Sequence, residues 1–508
     1  MAIQRYAVDG INGSAGNSGV ASFEGDFSNA VVDIYDALDK ANTAHVADSI
    51  YTILIEVSGG TNGVTYTPTH NLVFTSSGVG YTASTGLAPQ GSDVGDYGIV
   101  GSTVAGHSGQ VTIDVSTMTT FAPYGTSCIA SNRKGTLFSR LRIIGAASSK
   151  SQDPILLSGA NFSAVRDCYI DQGAHGIMVK NTEDLEITGN HIVGGTGANA
   201  SCIKIQQSSS PQATRAIVAN NYVWKGGSSA GTAGHFGIQL YGAWNCAVYN
   251  NTIVDTVTDA IGLIETSKFN EVYNNITVNS TANGNSGTVG HSIGVDGTST
   301  DNLIDYNSYG NDLYYLGGTF TASGGWVGGQ QYTSLTSWRT ATSQDANSIA
   351  ALPDFRGGTS PTSLSGIKLN VGSSQIQAGT PVTWSEPTWT TFEMGKDVFG
   401  VDYLSPPNMG AVALSAGGSN LTEDEQAYLD AWLAGTKLSG RDFGTLRLTA
   451  GGLLTGNYIN WNHEIDNTEY RGVWEAYTKP AGRDFGTKRI NTDGLISGNY
   501  IHTDYPED

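Results

Sequence analysis

Asparagine stands directly before a short apolar pair at Asn190, Asn221, Asn251 and Asn275, in the segments GNHIV, NNYVW, NNTIV and NNITV. A fifth instance, YNSYG, follows at Asn307, and the steps between the five are 31, 30, 24 and 32 residues. One step earlier, in DCYI, Cys168 takes the asparagine's place 22 residues before Asn190. Between these lies a second column, with Ile177, Ile203, Ile238, Ile261 and Ile293 each opening an alternating segment, and a third made of LEI, AIV, AVY, EVY and LID. Three short strands per repeat, joined by Gly/Asn/Ser/Thr turns of uneven length, describe a solenoid that stacks one repeat on the next. Equivalent strands then lie about 4.8 Å apart. Stacked asparagines can pass hydrogen bonds from amide to amide, and asparagine tolerates the left-handed backbone of tight turns. The Asn-Asn pairs are therefore read as scaffold and not as chemistry.

Composition bounds the rest. Of 508 residues, 39% are hydrophobic and fall in short regular runs, which argues for packed β structure over a polar disordered chain. The 25 Lys+Arg against 45 Asp+Glu give a net charge of −20, leaving no basic stripe for a nucleic-acid backbone. Cys128, Cys168, Cys202 and Cys246 form no CxxC pair and are expected to be free and buried, with neither disulfide nor metal holding the fold. No cofactor motif is present. No run of 18 apolar residues exists, so no membrane insertion is expected. The first residues, MAIQRYAVDGINGSAGNSG, lack an apolar stretch of the signal-peptide kind. The expectation is a chain made in a host cytoplasm and released within a virus particle.

A solenoid must cover its end strands. Ser28 to Ala44 carries Val31, Ile34, Tyr35 and Leu38 at helical spacing and predicts a cap helix. The expected organisation is an N-terminal cap segment over 1–47, coils over 48–315, closing coils and loops over 316–415, and a separate module over 416–508.

These repeats resemble the right-handed parallel β-helix superfamily that includes pectate lyases. The segment after the coils supports the resemblance, with SWRTATSQDANSIAALPDF (Ser337 to Phe355), IKLNVGSSQIQAGT, KDVFGVD and PNMGAVAL following in order. The resemblance implies an all-β, single-stranded parallel β-helix. It is compatible with lyases, epimerases, adhesins and phage tailspikes, so function must be argued from a site. Phage virion and tailspike-type members are the most similar in character, and by that resemblance the chain is expected to be a homotrimer.

Lyases of the superfamily use clustered acids with calcium, or Lys/Arg/His/Tyr groups, on the outer face of one sheet. Beside the inward isoleucines the outward positions are Met178, Lys204, Gln239, Gly262 and Gly294, then Lys180, Gln206, Tyr241, Ile264 and Asp296. No paired carboxylates fall there, so neither a calcium site nor a glycosidase pair is indicated. Two residues before the isoleucines the column reads His175, Ser201, Phe236, Asp259, His291. Asp259 and His291 would meet on neighbouring coils, with Glu265 at the following turn, as the acid/base candidates; the bland reading is polar residues bonding turn backbone. Tyr222, Trp224 and Tyr241 are candidate sugar-stacking rings, or alternatively wedges under loops.

Beyond residue 416 the composition changes. Thr422 and Glu425 form a capping box ahead of a predicted helix. A repeat with a period of 42 then places Trp432 against Trp474, GRDFGT at Gly440 and Gly482, and GNYI at Gly456 and Gly498. Trp432, Arg441, Asp442, Phe443, Trp474, Arg483, Asp484 and Phe485 are the expected partner-binding residues, because aromatic and Arg anchors suit an interface. The sequence is read as a virion surface protein, a capsid decoration or a tailspike-like part. Other capsid or tail proteins would bind through the module, and host-surface polysaccharide is a possible ligand. The alternatives are a polysaccharide lyase or hydrolase on the same rod, and a bacterial adhesin.

Overall fold

The computed structural model describes residues 3–47, 52–68, 72–75, 78–79, 97–115, 127–144, 153–171, 175–194, 201–207, 212–225, 236–280, 290–310, 313–320, 326–370, 373–381, 397, 403, 407–413, 447–448, 454–455, 488–490 and 496–498. The chain divides into two compact units, Met1–Ala413 and Leu414–Asp508.

The first unit is a right-handed parallel β-helix of three sheets, here A, B and C, which the chain visits in that order on every turn. One turn runs Leu185–Thr188 in A, His191–Val193 in B and Ile203–Gln206 in C. The next turn stacks on it in register, pairing Ile187 with Val218, Ile192 with Val223, and Ile205 with Leu240. Alternation sends Ile187, Val218, Ile192, Val223, Ile205 and Leu240 inward, where they join one continuous apolar core. All four cysteines are free and buried. Burial pushes the thiols of Cys128, Cys168 and Cys246 up to about 12, which keeps them unreactive.

The corner between sheets A and B explains the asparagine pairs. Two residues make the turn, and they divide the work. The first adopts a left-handed backbone, with φ of 56° at Asn220, 53° at Asn250 and 57° at Asn274. The second points inward and builds the ladder. The backbone N–H and Nδ2 of Asn190 both donate to Oδ1 of Asn221 at 3.0 Å, and the pattern repeats from Asn221 to Asn251, Asn251 to Asn275 and Asn275 to Asn307. Each Nδ2 also reaches a sheet-A carbonyl of the preceding turn, as Asn251 does at Val218. Cys168 enters by donating its N–H to Asn190, and Ser348 closes the far end by accepting from the N–H of Asn307.

The ends are covered by different devices. The cap helix spans Ile34–Ala47 and lays Ile34, Ala37, Leu38 and Ala41 on the core at i, i+3, i+4 and i+7. It starts later than the Ser28–Ala44 reading: Val31 is bridged to Val8 in extended backbone, and Asp33 Oδ1 accepts the N–H of Tyr35 at 2.6 Å. The N-terminal segment also contributes a strand, Ile3–Val8, paired parallel to Thr52–Val57. At the other end, helix Leu335–Thr342 buries Trp338. The Trp338 Nε1–H, the Tyr309 hydroxyl and the Ser348 hydroxyl all donate to Asp345.

Past that helix the chain folds back along the rod. Phe355, Ile367, Leu369, Met409, Ala411 and Val412 pack on the outward residues Tyr222, Val254, Ile276 and Val278 of sheet B. Tyr403 reaches Asn220 at the A/B corner. In the second unit the described residues form two antiparallel hairpins. Arg447 pairs with Thr455 and Leu448 with Leu454; 42 residues later Arg489 pairs with Ser497 and Ile490 with Ile496. The sequence repeat is thus a structural repeat with one register. The predicted helix at 421–435 and all eight expected partner-binding residues lie outside the described residues.

The two asparagines of a pair should fail differently. Asn251→Ala strands several buried donors and acceptors and should cost on the order of 3–5 kcal/mol. Asn250→Gly keeps the left-handed turn and should cost about 1 kcal/mol or less. Urea unfolding midpoints of the two variants check this; equal losses would contradict the division of roles.

Candidate functional site

The apolar cluster of the returning tail lies on sheet B, and the outward face of sheet C stands outside it. The outward side chains of sheet C stand in two columns. The first runs Val73, Ala130, Leu156, Met178, and these four pack together as a buried apolar stripe; Lys204, Gln239, Gly262, Gly294 and Tyr315 continue it. The second column runs Ser158, Lys180, Gln206, Tyr241 and Ile264 along the strand exits. Lys180, Lys204, Gln206 and Tyr241 are half-buried and Glu265 is exposed, so together they form an open ribbon along the rod.

Charge is concentrated on this ribbon. The Lys204 ammonium lies 5.5 Å from the centroid of the Tyr241 ring, within cation–π range. Burial lowers its pKa; Asp153 opposes that shift and Lys180 adds to it. Asp153, two residues before the inward Ile155, is nearly buried. Desolvation pushes its carboxyl up to about 6, against the N–H of His175 at 3.2 Å and the pull of Lys180 and Lys204. His175 Nδ1 accepts the Ser201 N–H at 2.9 Å, and the Ser201 hydroxyl donates to Gln239 Oε1 at 2.9 Å. The Tyr241 pKa is raised by burial and then by Glu265, with which its hydroxyl hydrogen-bonds. Two ammonium groups, an aromatic ring and fixed amides on a rigid sheet can hold a carboxylate-bearing, hydroxyl-rich ligand.

The predicted site residues divide. Asp259 and His291 do meet on neighbouring turns, Oδ1 to Nδ1 at 2.7 Å. Their exposures are 0% and 2%, however, and Asp259 also takes the backbone N–H of His291, so the pair is built into the wall. Glu265 does not join them. It follows Ile264 at the opposite end of the strand, roughly 20 Å along the chain from Asp259 at 3.3 Å per residue, and belongs with Tyr241 and Asp296. Tyr222 must be removed from the candidate sugar-binding rings. It is 0% exposed, beneath the returning tail, and its hydroxyl donates to the Pro361 carbonyl. Trp224, half-buried on sheet B, donates to Asp255, and Lys225 lies 4.5 Å over its ring. Tyr241 is on sheet C, so the three rings do not share a surface. Among the described residues no three His, Cys, Asp or Glu are grouped to hold a metal ion.

The sequence periodicity marks Lys180, Lys204 and Tyr241 as outward positions without joining them to Asp153. The signal was available: Asp153 precedes His175 in the same column, one turn earlier. Near the N-terminal end, Ser58 Oγ and Asp9 Oδ2 approach His107 at 2.9 and 3.8 Å, both at Nδ1, so no serine–histidine–aspartate relay exists there.

Residues 97–277 match the family of the right handed beta helix region. Among solved structures, pectate lyase Pel9A is similar at 13% identity, with 81% of this chain and 97% of that one covered and a TM-score of 0.38. A rhamnogalacturonan lyase is similar at 11% identity, covering 69% and 90%, with a TM-score of 0.35. The PL6 family alginate lyase AlyGC is similar at 13% identity over 54% and 38%, with a TM-score of 0.31. No curated protein matches. The family match and the three-sheet topology agree on a right-handed parallel β-helix, and the chemistry rests on the residues described above.

Asp153 should leave a mark on stability. Its folded pKa of about 6 exceeds its ordinary 3.8, so the folded state holds the proton more tightly than the unfolded chain. The associated stability is complete below about pH 4 and is lost as pH rises through about 6. Relative to the native chain, Asp153→Asn should therefore gain on the order of 2–3 kcal/mol between pH 4 and pH 7.5. Urea unfolding across that range checks it, and a constant difference would contradict it.

Proposed function

We propose that this chain is a glycan-engaging β-helix protein, which holds an acidic polysaccharide along the outer ribbon of sheet C and is mounted on a larger assembly by its C-terminal repeats. The observation that carries the reading is the Lys204–Tyr241 pair, a half-buried ammonium against a half-exposed ring, with Lys180 one turn away. A carboxylate or sulfate on a sugar would pair with the two ammonium groups, and the ring would cover the apolar face of the same or the next sugar. Because the chain carries −20 overall, these lysines also mark where an anionic polymer can approach. Lys204→Ala should weaken binding of a soluble acidic polysaccharide at least about tenfold, with an unchanged melting temperature. Calorimetric titration of both proteins tests this, and equal affinities would remove Lys204 from the site.

The mounting part of the reading is supported by the two register-matched hairpins at 447–455 and 488–498, since one element built twice suits a repeated partner. The assembly we propose is a virus particle, with the rod displayed on its surface as a trimer. Trp432→Ala and Trp474→Ala should each reduce the amount of this chain retained on purified particles while leaving the β-helix melting transition in place. Full retention of both variants would sink the idea.

A second reading, cleavage of the bound chain, is favoured by Lys204, whose pKa burial lowers and which stands over the Tyr241 ring. A neutral amine can take the proton next to a sugar carboxylate, and the tyrosine can protonate the departing oxygen. Ultraviolet absorbance of the unsaturated product would rise on incubation with the full chain, and would not rise with Lys204→Ala.

A further inference from the structure

The ribbon on sheet C is electrically polar along its length. Lys180, Gln206, Tyr241 and Ile264 occupy successive strands in one column, so the ribbon advances about 4.8 Å per turn, close to the size of one sugar ring. Its N-terminal end holds Lys180 and Lys204, with Asp153 nearly buried behind them. Its C-terminal end holds Glu265, which is exposed, and Asp296, whose carboxylate accepts the Glu265 N–H, the Thr298 N–H and the Thr298 hydroxyl. Neither Glu265 nor Asp296 is in an ion pair among the described residues. Tyr241 stands at the boundary, with the Lys204 ammonium over its ring and its hydroxyl bonded to Glu265. The interval from Lys180 to Glu265 is about three strand spacings, or roughly 14 Å.

A polymer lying along the rod meets both ends at once. An uninterrupted polyuronate would satisfy the lysines and then set further carboxylates against Glu265 and Asp296, where like charges repel. An uncharged sugar at that position avoids the repulsion, and its hydroxyls can donate to the Glu265 carboxylate. We propose that the ribbon selects a heteropolysaccharide in which an anionic sugar is followed by uncharged sugars. The anionic sugar sits over Lys180 and Lys204, and the uncharged ones over Tyr241 and Glu265. This selectivity rests on the glycan-binding reading above and adds to it the charge pattern of the ligand.

The test uses the full chain in calorimetric titrations against three soluble polymers: a continuous polyuronate, a polymer alternating single uronates with runs of neutral sugars, and a neutral polymer. The alternating polymer should bind at least about tenfold more tightly than either of the others. Glu265→Gln removes a charge from an exposed position, and far-ultraviolet circular dichroism would confirm its fold. That variant should raise affinity for the polyuronate about tenfold and so narrow the discrimination. Polyuronate binding as tight as the alternating polymer in the native chain would overturn the inference while leaving glycan binding intact. Absence of binding to all three would overturn both readings. A Glu265→Gln variant with unchanged polyuronate affinity would remove the acidic end as the cause and overturn the inference.

Discussion

The coils from Cys168 to Ser348 depend on the amide ladder at the corner between sheets A and B. A two-residue turn leaves inward-facing backbone groups that no strand can pair, deep in an apolar core where unsatisfied polar groups are costly. The asparagine side chains satisfy those groups from the turn above and the turn below, and in doing so set the vertical register. Because a one-residue slip would expose the core face, this corner decides which residues point outward on all three sheets. The ribbon of sheet C is therefore a consequence of a hydrogen-bond pattern on the far side of the coil.

Rigid register makes the outer face a fixed array, and the returning tail decides how much of it is usable. Phe355, Ile367, Met409 and Val412 take up the outward face of sheet B, and Tyr403 reaches the A/B corner. Sheet C keeps Lys180, Lys204, Gln206, Tyr241 and Glu265 at least partly open. The half-buried lysines are held by packing and by neighbouring charges, so their positions are set before a ligand arrives, which lowers the ordering cost of binding. The wall behind them, from Asp153 through His175 and Ser201 to Gln239, is a chain of polar contacts that fixes the strand entrances.

Much of the architecture was readable in the sequence because a solenoid is built from contacts between equivalent positions. The asparagine and isoleucine columns correspond to the registers observed, the third column slips by one residue between AIV and AVY, where Ile217 pairs with Ala247, and Asp259 meets His291 as the periodicity requires. Features produced by non-local docking were not readable. Tyr222 sits at an outward position and would be a plausible sugar platform, but a segment some 140 residues later covers it. Glu265 is near Asp259 in sequence, but an extended strand separates the ends it joins. Ile3–Val8 has no turn signature linking it to Thr52–Val57, since the cap helix intervenes. The character of Asp153 comes from its burial and from the charges of Lys180 and Lys204, which no local pattern around it announces.

The central claim is that ligand contact falls on the exit ribbon of sheet C. Hydrogen–deuterium exchange of the full chain, with and without a soluble acidic oligosaccharide at saturating concentration, addresses it directly. The account predicts slower exchange confined to the strands and turns at 177–181, 203–207, 238–242 and 261–266. Slowed exchange on sheet B around 222–224 instead, with the ribbon unchanged, would contradict it.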